Sequence, residues 1–210
     1  MGKHVIVGAG QVGSQLAESL AAGGHEVVVV TRSGSGPAVA GVTRVAADAG
    51  DASRLTDLAK GADALYNCAN PRYHRWAQDW PPMATALLTA AERSGAVLVT
   101  LGNLYVYGPV DSPMTEDLPL AAPGTKGRVR AKMWADALAA HQAGRVRITE
   151  VRGSDFFGPG MSDQSMFGDR FVAPLLAGKT AWIPADPDQP HSLTYLPHTI
   201  AWLRTATPTK

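Results

Sequence analysis

The stretch that decides the fold is Lys3-His4-Val5-Ile6-Val7, followed directly by Gly8-Ala9-Gly10-Gln11-Val12-Gly13 and then by Ser14-Gln15-Leu16-Ala17-Glu18-Ser19-Leu20. The first five residues read as a short buried strand and the last seven as a helix, so three glycines stand at a strand-to-helix turn. In that context each glycine has a mechanical role. Gly8 permits the tight turn, Gly10 lets the backbone approach a pyrophosphate, and Gly13 lets the helix pack close to the strand. Backbone N–H groups at the helix N-terminus, with Gln11 and Val12 among its first residues, then attract negative phosphates. A second apolar strand follows Gly23-Gly24, and Arg32 lies 19 residues beyond Gly13. The pattern predicts a dinucleotide site; the simpler alternative is a glycine turn that only packs a helix on a sheet.

Outward from this turn, apolar strands alternate with helical segments for about 150 residues. Strands are expected near 3–7, 26–30, 43–46, 63–67, 97–101 and 146–151, and helices near 12–22, 53–60, 76–94 and 127–143. That alternation predicts an α/β fold, a doubly wound parallel sheet of the Rossmann type with helices on both faces. The expected division is a nucleotide-binding domain over 1–157 and a short substrate-side region over 158–210. In the latter, 171–177 reads as a helix, 180–183 as a strand and 199–204 as a closing helix, with 205–210 expected to fray.

Composition narrows the function classes. The chain has 210 residues, 45% hydrophobic and 18% charged, with a net charge of +1. Near-neutral balance gives no footprint for nucleic acid or for an anionic membrane. No run of 18 apolar residues and no signal-peptide pattern is present, so a cytoplasmic protein is expected. The single Cys68 has no partner for an internal disulfide and reads as a small buried residue. Six histidines lack His-x-x-x-His spacing, and no metal is expected.

In doubly wound sheets ligands bind beyond the carboxyl ends of the strands. This rule selects Thr31-Arg32-Ser33, Asp48, Asn67-Cys68-Ala69-Asn70, Gly102-Asn103 and Gly153-Ser154-Asp155. After the second strand an NAD enzyme usually carries an acid for the ribose hydroxyls, whereas Arg32 stands here. A guanidinium pairs bidentately with a 2′-phosphate, which points to NADP, with NAD less favoured. A solvated loop arginine is the plainer alternative. Asp48 suits either the adenine amino group or the cap of the next helix.

The order of Gly8–Gly13, Asn67-Cys68-Ala69-Asn70, Val106-Tyr107-Gly108-Pro109, Thr115-Glu116-Asp117-Leu118-Pro119, Arg152 with Phe157-Gly158-Pro159-Gly160, and Leu175-Leu176-Ala177-Gly178-Lys179 resembles the extended short-chain dehydrogenase/reductases, the NAD-dependent epimerase/dehydratase group. The resemblance covers almost the whole chain, although Val7 stands where that family usually has its first glycine. It implies a Ser or Thr, a Tyr and a Lys as catalytic groups, the last two as Tyr-x-x-x-Lys on one helix face. Here Asn103 takes the Ser/Thr position. Matching the helix to Gly127-Arg128-Val129-Arg130-Ala131-Lys132 puts Arg128 at the tyrosine and Lys132 at the lysine, where the family also binds the nicotinamide ribose.

A guanidinium cannot exchange protons near neutrality, but it can stabilise an oxyanion, with Asn103 donating to the same oxygen. Tyr105 and Tyr73 are alternative proton donors, whereas Tyr107 fits a packing role. Tyr73 lies in Pro71-Arg72-Tyr73-His74-Arg75-Trp76, whose mix of aromatic and basic groups suits an anionic or ring-bearing substrate. Ser154 and Asp155 are substrate-side candidates, Asp155 also a possible turn cap. Lys126, Arg128, Arg130 and Lys132 read alternatively as a solvated basic face.

Three functions follow: an NADP-dependent oxidoreductase or epimerase on a small polar or cyclic carbonyl or hydroxyl compound, a catalytically silent NADP-binding sensor or partner-binding protein, and a non-redox isomerase or cyclase. The resemblance also implies a homodimer through the helices at 76–94 and 127–143. Relatives generally continue after Ile200, so a truncated chain or a reduced form with an open cleft is expected.

Overall fold

The computed structural model describes residues 1–160, 165, 167–183, 186 and 188–206. In chain order these form β1 (Lys3–Val7), α1 (Gln11–Ala22), β2 (Glu26–Thr31), β3 (Val42–Ala46), α2 (Ala52–Ala59), β4 (Ala64–Asn67), α3 (Trp76–Ser94), β5 (Val97–Asn103), α4 (Thr125–Gln142), β6 (Ile148–Gly153), β7 (Asp155–Phe157), α5 (Asp169–Leu176), β8 (Leu193–Tyr195) and α6 (Leu196–Thr205). The six large strands are all parallel, in the order β3-β2-β1-β4-β5-β6. Strand order reverses between β1 and β4, where Val7 pairs with Asn67, and a crevice opens beyond their carboxyl ends.

Why the strands are continuously apolar follows from this layering. A parallel strand covered on both faces must bury alternate side chains on opposite sides. Val5, Val7, Val28 and Val30 join one cluster with Leu55, Leu87 and Ala90 from α2 and α3. Ile6, Val27, Val29 and Tyr66 join the other, with Leu16 and Leu20 from α1.

The carboxyl-terminal region departs from expectation in three places. No strand forms at 180–183, and Trp182 there is 86% exposed; a short apolar run needs a strand edge to pair with, and none of the described strands adjoins it. The pairing strand is β8 instead, parallel to β7, with the Tyr195 ring 5.3 Å from that of Phe157. Helix α6 begins at Leu196, ahead of the expected 199, and buries Leu196, Ile200 and Leu203 in the cluster under α1. It thereby belongs to the helical layer of the main sheet. Thr205 closes α6, and 207–210 lie outside the described residues.

Candidate functional site

The glycine turn is built as its spacing requires. Gly8 has φ +102°, a left-handed conformation, and a Cβ there would lie 2.6 Å from the Ala69 nitrogen. A Cβ on Gly13 would come within 2.0 Å of the Gly8 carbonyl oxygen, so only glycine lets α1 lie this close to β1. Gly10, at the N-cap of α1, is different: a Cβ there meets no atom within 4 Å. Its surroundings are open for a diphosphate over the helix N-terminus, and the residues present fit a dinucleotide.

A cavity of about 880 Å³ starts at Gly10, Gln11 and Val12 and runs past Cys68, Ala69 and Asn70 to Tyr73, Asn103, Tyr105, Ser154 and Asp155. Cys68 is buried in its wall, and burial pushes the thiol up to about 12, so it is an inert wall residue. Beyond β2, Thr31 Oγ1 donates to the Ser35 carbonyl at 2.9 Å and Ser33 Oγ to Ser35 Oγ at 3.0 Å, folding the turn that exposes Arg32. Asp79 on α3 is held below the usual carboxylate range, first by its bond to Arg75 and further by the nearby Arg32 charge. Asp48 is not a helix cap: its Oδ1 accepts from the Gly50 nitrogen at 2.8 Å, while Asp51 caps α2 by accepting from the Arg54 nitrogen. The intervening turn sets the cap three residues later.

Strand β5 runs to Asn103, whose Oδ1 accepts from the Tyr105 nitrogen at 3.3 Å and caps a 3₁₀ turn. Asn103 therefore offers the cleft an amide donor. Tyr105 bonds to the Tyr73 hydroxyl, and burial first, then that bond and the Tyr73 field, raise its hydroxyl above the ordinary phenol range. Tyr107 is buried and accepts from Arg152 Nη1 at 2.7 Å.

Arg128 and Lys132 are not brought to this cleft. Arg128 donates to the Pro123 carbonyl and to Thr125 Oγ1, and Lys132 pairs with Asp136 at 2.9 Å; both line a separate cavity of about 590 Å³ bordered by α3 and α4. The side of α4 toward the cleft is marked by Gly127, where a Cβ would lie 2.4 Å from the Tyr105 carbonyl oxygen. Each helical residue turns by about 100°, so a frame two residues off points the opposite way. The pair with the required i, i+4 spacing on the cleft side is Lys126 and Arg130. Lys126 Nζ sits 4.7 Å over the Tyr73 ring, and the Arg130 guanidinium lies 4.8 Å from the Trp76 ring centre and 4.2 Å from that of Trp80.

On the far wall, Ser154 Oγ donates to the Ser192 carbonyl, and Asp155 Oδ2 meets His191 Nε2 at 2.7 Å. His74 lies on an exposed 3₁₀ turn at the cavity wall. His191 was invisible to sequence reasoning, being 36 residues from Asp155 with no motif between them. Arg130 had a detectable signal, since it stands three residues after Gly127 on one helical face. Among the described residues, no three His, Cys, Asp or Glu side chains group as a metal site, and no helix is long and apolar enough to cross a membrane.

The model of the NAD dependent epimerase/dehydratase family matches residues 4–195. The chain belongs to that family. No curated protein matches it. Solved structures similar to this epimerase/dehydratase chain include a UDP-N-acetylglucosamine 4-epimerase from Methanobrevibacter ruminantium M1 in complex with UDP-N-acetylmuramic acid, at 18% identity and TM-score 0.86, covering 98% of this chain and 73% of that one. The UDP-glucuronic acid 4-epimerase from Bacillus cereus, with UDP-glucuronic acid and NAD, is 21% identical with TM-score 0.83, covering 99% and 74%. DesIV from Streptomyces venezuelae, a dTDP-glucose 4,6-dehydratase with NAD and TYD bound, is 23% identical with TM-score 0.81, covering 96% and 70%. At these identities the likeness establishes the shared fold.

Proposed function

We propose that the chain binds a nicotinamide dinucleotide, NADP in preference to NAD, and acts as an epimerase/dehydratase-type oxidoreductase on a small polar or cyclic carbonyl or hydroxyl compound. The observation that carries this reading is the continuity of one cavity from the open cradle at Gly10 to the polar groups at Asn103, Tyr105 and Asp155. The diphosphate would rest on the α1 N-terminus, the adenosine 2′-phosphate against Arg32, and the nicotinamide near Asn70, Tyr73 and Asn103. The solved relatives from Bacillus cereus and Streptomyces venezuelae hold NAD, so the preference for NADP rests on Arg32 standing where an acid would select NAD.

When bound, the nicotinamide supplies hydride transfer. The protein's own part is to hold and polarise the reacting oxygen and to move a proton. Asn103 and Tyr105 donate hydrogen bonds to that oxygen. Tyr105 keeps its proton at neutral pH, because burial raises its hydroxyl, so it serves as a donor and not as the exchanging group. Proton exchange falls to His191, whose imidazole ring is held in place by its 2.7 Å hydrogen bond to Asp155.

A silent NADP-binding sensor is the second reading, favoured by the absence of a tyrosine from the i, i+4 pair that α4 turns toward Tyr73 and Trp76, Lys126 and Arg130. Substrate-dependent oxidation of NADPH over a panel of small carbonyl compounds tests the enzyme reading; tight nucleotide binding without oxidation of any of them favours the sensor. We also propose a homodimer through α3 and α4, which sedimentation at micromolar concentration checks.

A further inference from the structure

We infer that the inner end of the cleft is a receptor for an oxyanion group, a carboxylate or phosphate held by Arg130 with Lys126 at the rim. This rests on reading the cleft as a ligand pocket, and it specifies the class of compound that enters.

Arg130 is 6% exposed, and its guanidinium lies against the rings of Trp76 and Trp80. One long hydrogen bond, 3.4 Å to the Leu101 carbonyl, engages Nη1, and Nε has no hydrogen-bond partner among the described residues. The carboxylate whose field reaches Arg130 is Glu150, already paired with the Arg152 guanidinium. The buried Arg130 and the partly buried Arg152 thus share one carboxylate. Protonation of Glu150, which burial favours, enlarges the excess. Across the cavity, Asp155 is engaged with His191.

A buried charge without a paired partner is unfavourable, and burial already draws Arg130 down to about 10, yet at neutral pH it still carries its proton. Aromatic faces offset part of that cost, because the electron-rich ring attracts a cation. They also fix the plane of the guanidinium, and a fixed fork is suited to bidentate contact with a planar carboxylate or a phosphate. The arrangement continues outward. Trp76 stacks on Tyr73 at 4.9 Å, and Tyr73 carries Lys126 on its ring. Two cations therefore sit at either end of one aromatic stack, of which Tyr73 lines the cavity. Arg130 lines the cavity, so an anion entering there removes the charge excess.

Trp76 lies inside the stack and reports on it. Tryptophan fluorescence of the full chain is titrated with sodium malonate and separately with inorganic phosphate, at fixed ionic strength with chloride as control. The expected result is saturable quenching by malonate, phosphate or both, about tenfold weaker in Arg130→Met and about threefold weaker in Lys126→Met, consistent with charge-assisted hydrogen bonds. The same titration with saturating NADP separates a substrate anion from the cofactor's own phosphates. Retained binding supports the proposal, and competitive loss overturns it. Absence of saturable quenching by either anion, or unchanged affinity in both variants, also overturns it. Circular dichroism checks that the buried substitution folds; if Arg130→Met does not fold, exposed Lys126→Met decides. NADP affinity, measured by calorimetry on the same samples, tests the nucleotide reading separately, so either reading can fail while the other stands.

Discussion

Gly13 lies directly behind Gly8, so close that a Cβ on Gly13 would stand 2.0 Å from the Gly8 carbonyl oxygen. The obstacle is backbone and cannot swing aside. Gly13→Ala is therefore expected to push α1 away from β1 and destabilise the fold by about 3 kcal/mol, the upper part of the range for overpacking. Thermal unfolding checks this; a melting temperature equal to that of the natural sequence would contradict the packing role.

His4 provides a pH signature unrelated to the cleft. Its ring is buried beside His25, at 3.2 Å, and burial first, then the His25 charge, lower its pKa to about 4. An unfolded histidine titrates near 6.5, so between the two values the unfolded chain binds more protons and stability rises with pH. This contribution is lost as pH falls from about 6.5 to about 4, on the order of 2 kcal/mol. Denaturant titrations across that window should show the loss, and His4→Gln should flatten it.

Arg32 is exposed beyond β2 on the turn folded by Thr31, Ser33 and Ser35. Arg32→Glu removes the pairing with a 2′-phosphate and offers ribose hydroxyls an acceptor. The ratio of NADPH to NADH affinity should fall by about tenfold or more, given the strength of charge-assisted pairs. Competition binding reads it directly, and an unchanged ratio removes the specificity argument.

His191 and Asp155 are joined at 2.7 Å on the far wall. Given turnover, His191→Gln is expected to lower kcat by about a hundredfold or more with NADPH affinity unchanged, the usual weight of a general acid or base. Asp155→Asn should also lower kcat, by less than His191→Gln, because the imidazole loses the contact that orients it while keeping its own nitrogens. A kcat unaffected by either change would leave the proton to another group.

Legibility in the sequence followed how local each signal was. The turn from Gly8 to Gly13 and the apolar runs of β1, β2 and β4 are local patterns, and six parallel strands followed from them. Segment 180–183 misled because apolar composition alone cannot supply a pairing edge. Which face of α4 meets the cleft was not legible, since Arg128 and Lys132 keep the same i, i+4 spacing as Lys126 and Arg130; Gly127, pressed on Tyr105, marks that face. Contacts such as Asp155 with His191 depend on the pairing of β7 with β8 and leave no trace in neighbouring residues.

Nucleotide binding as proposed requires the open space above Gly10 to receive a diphosphate. Gly10 sits at the N-cap of α1 with φ −74° and ψ −167°, a conformation in which aspartate is a favourable cap, and a Cβ there meets no atom within 4 Å. Calorimetric titration with NADPH of the natural chain and of Gly10→Asp distinguishes a diphosphate cradle from a turn that only packs α1 on the sheet. Saturable binding to the former is expected, and for the variant an undiminished melting temperature with affinity reduced by at least about a hundredfold. Equal affinity in the two, or no binding to the folded natural chain, would contradict it.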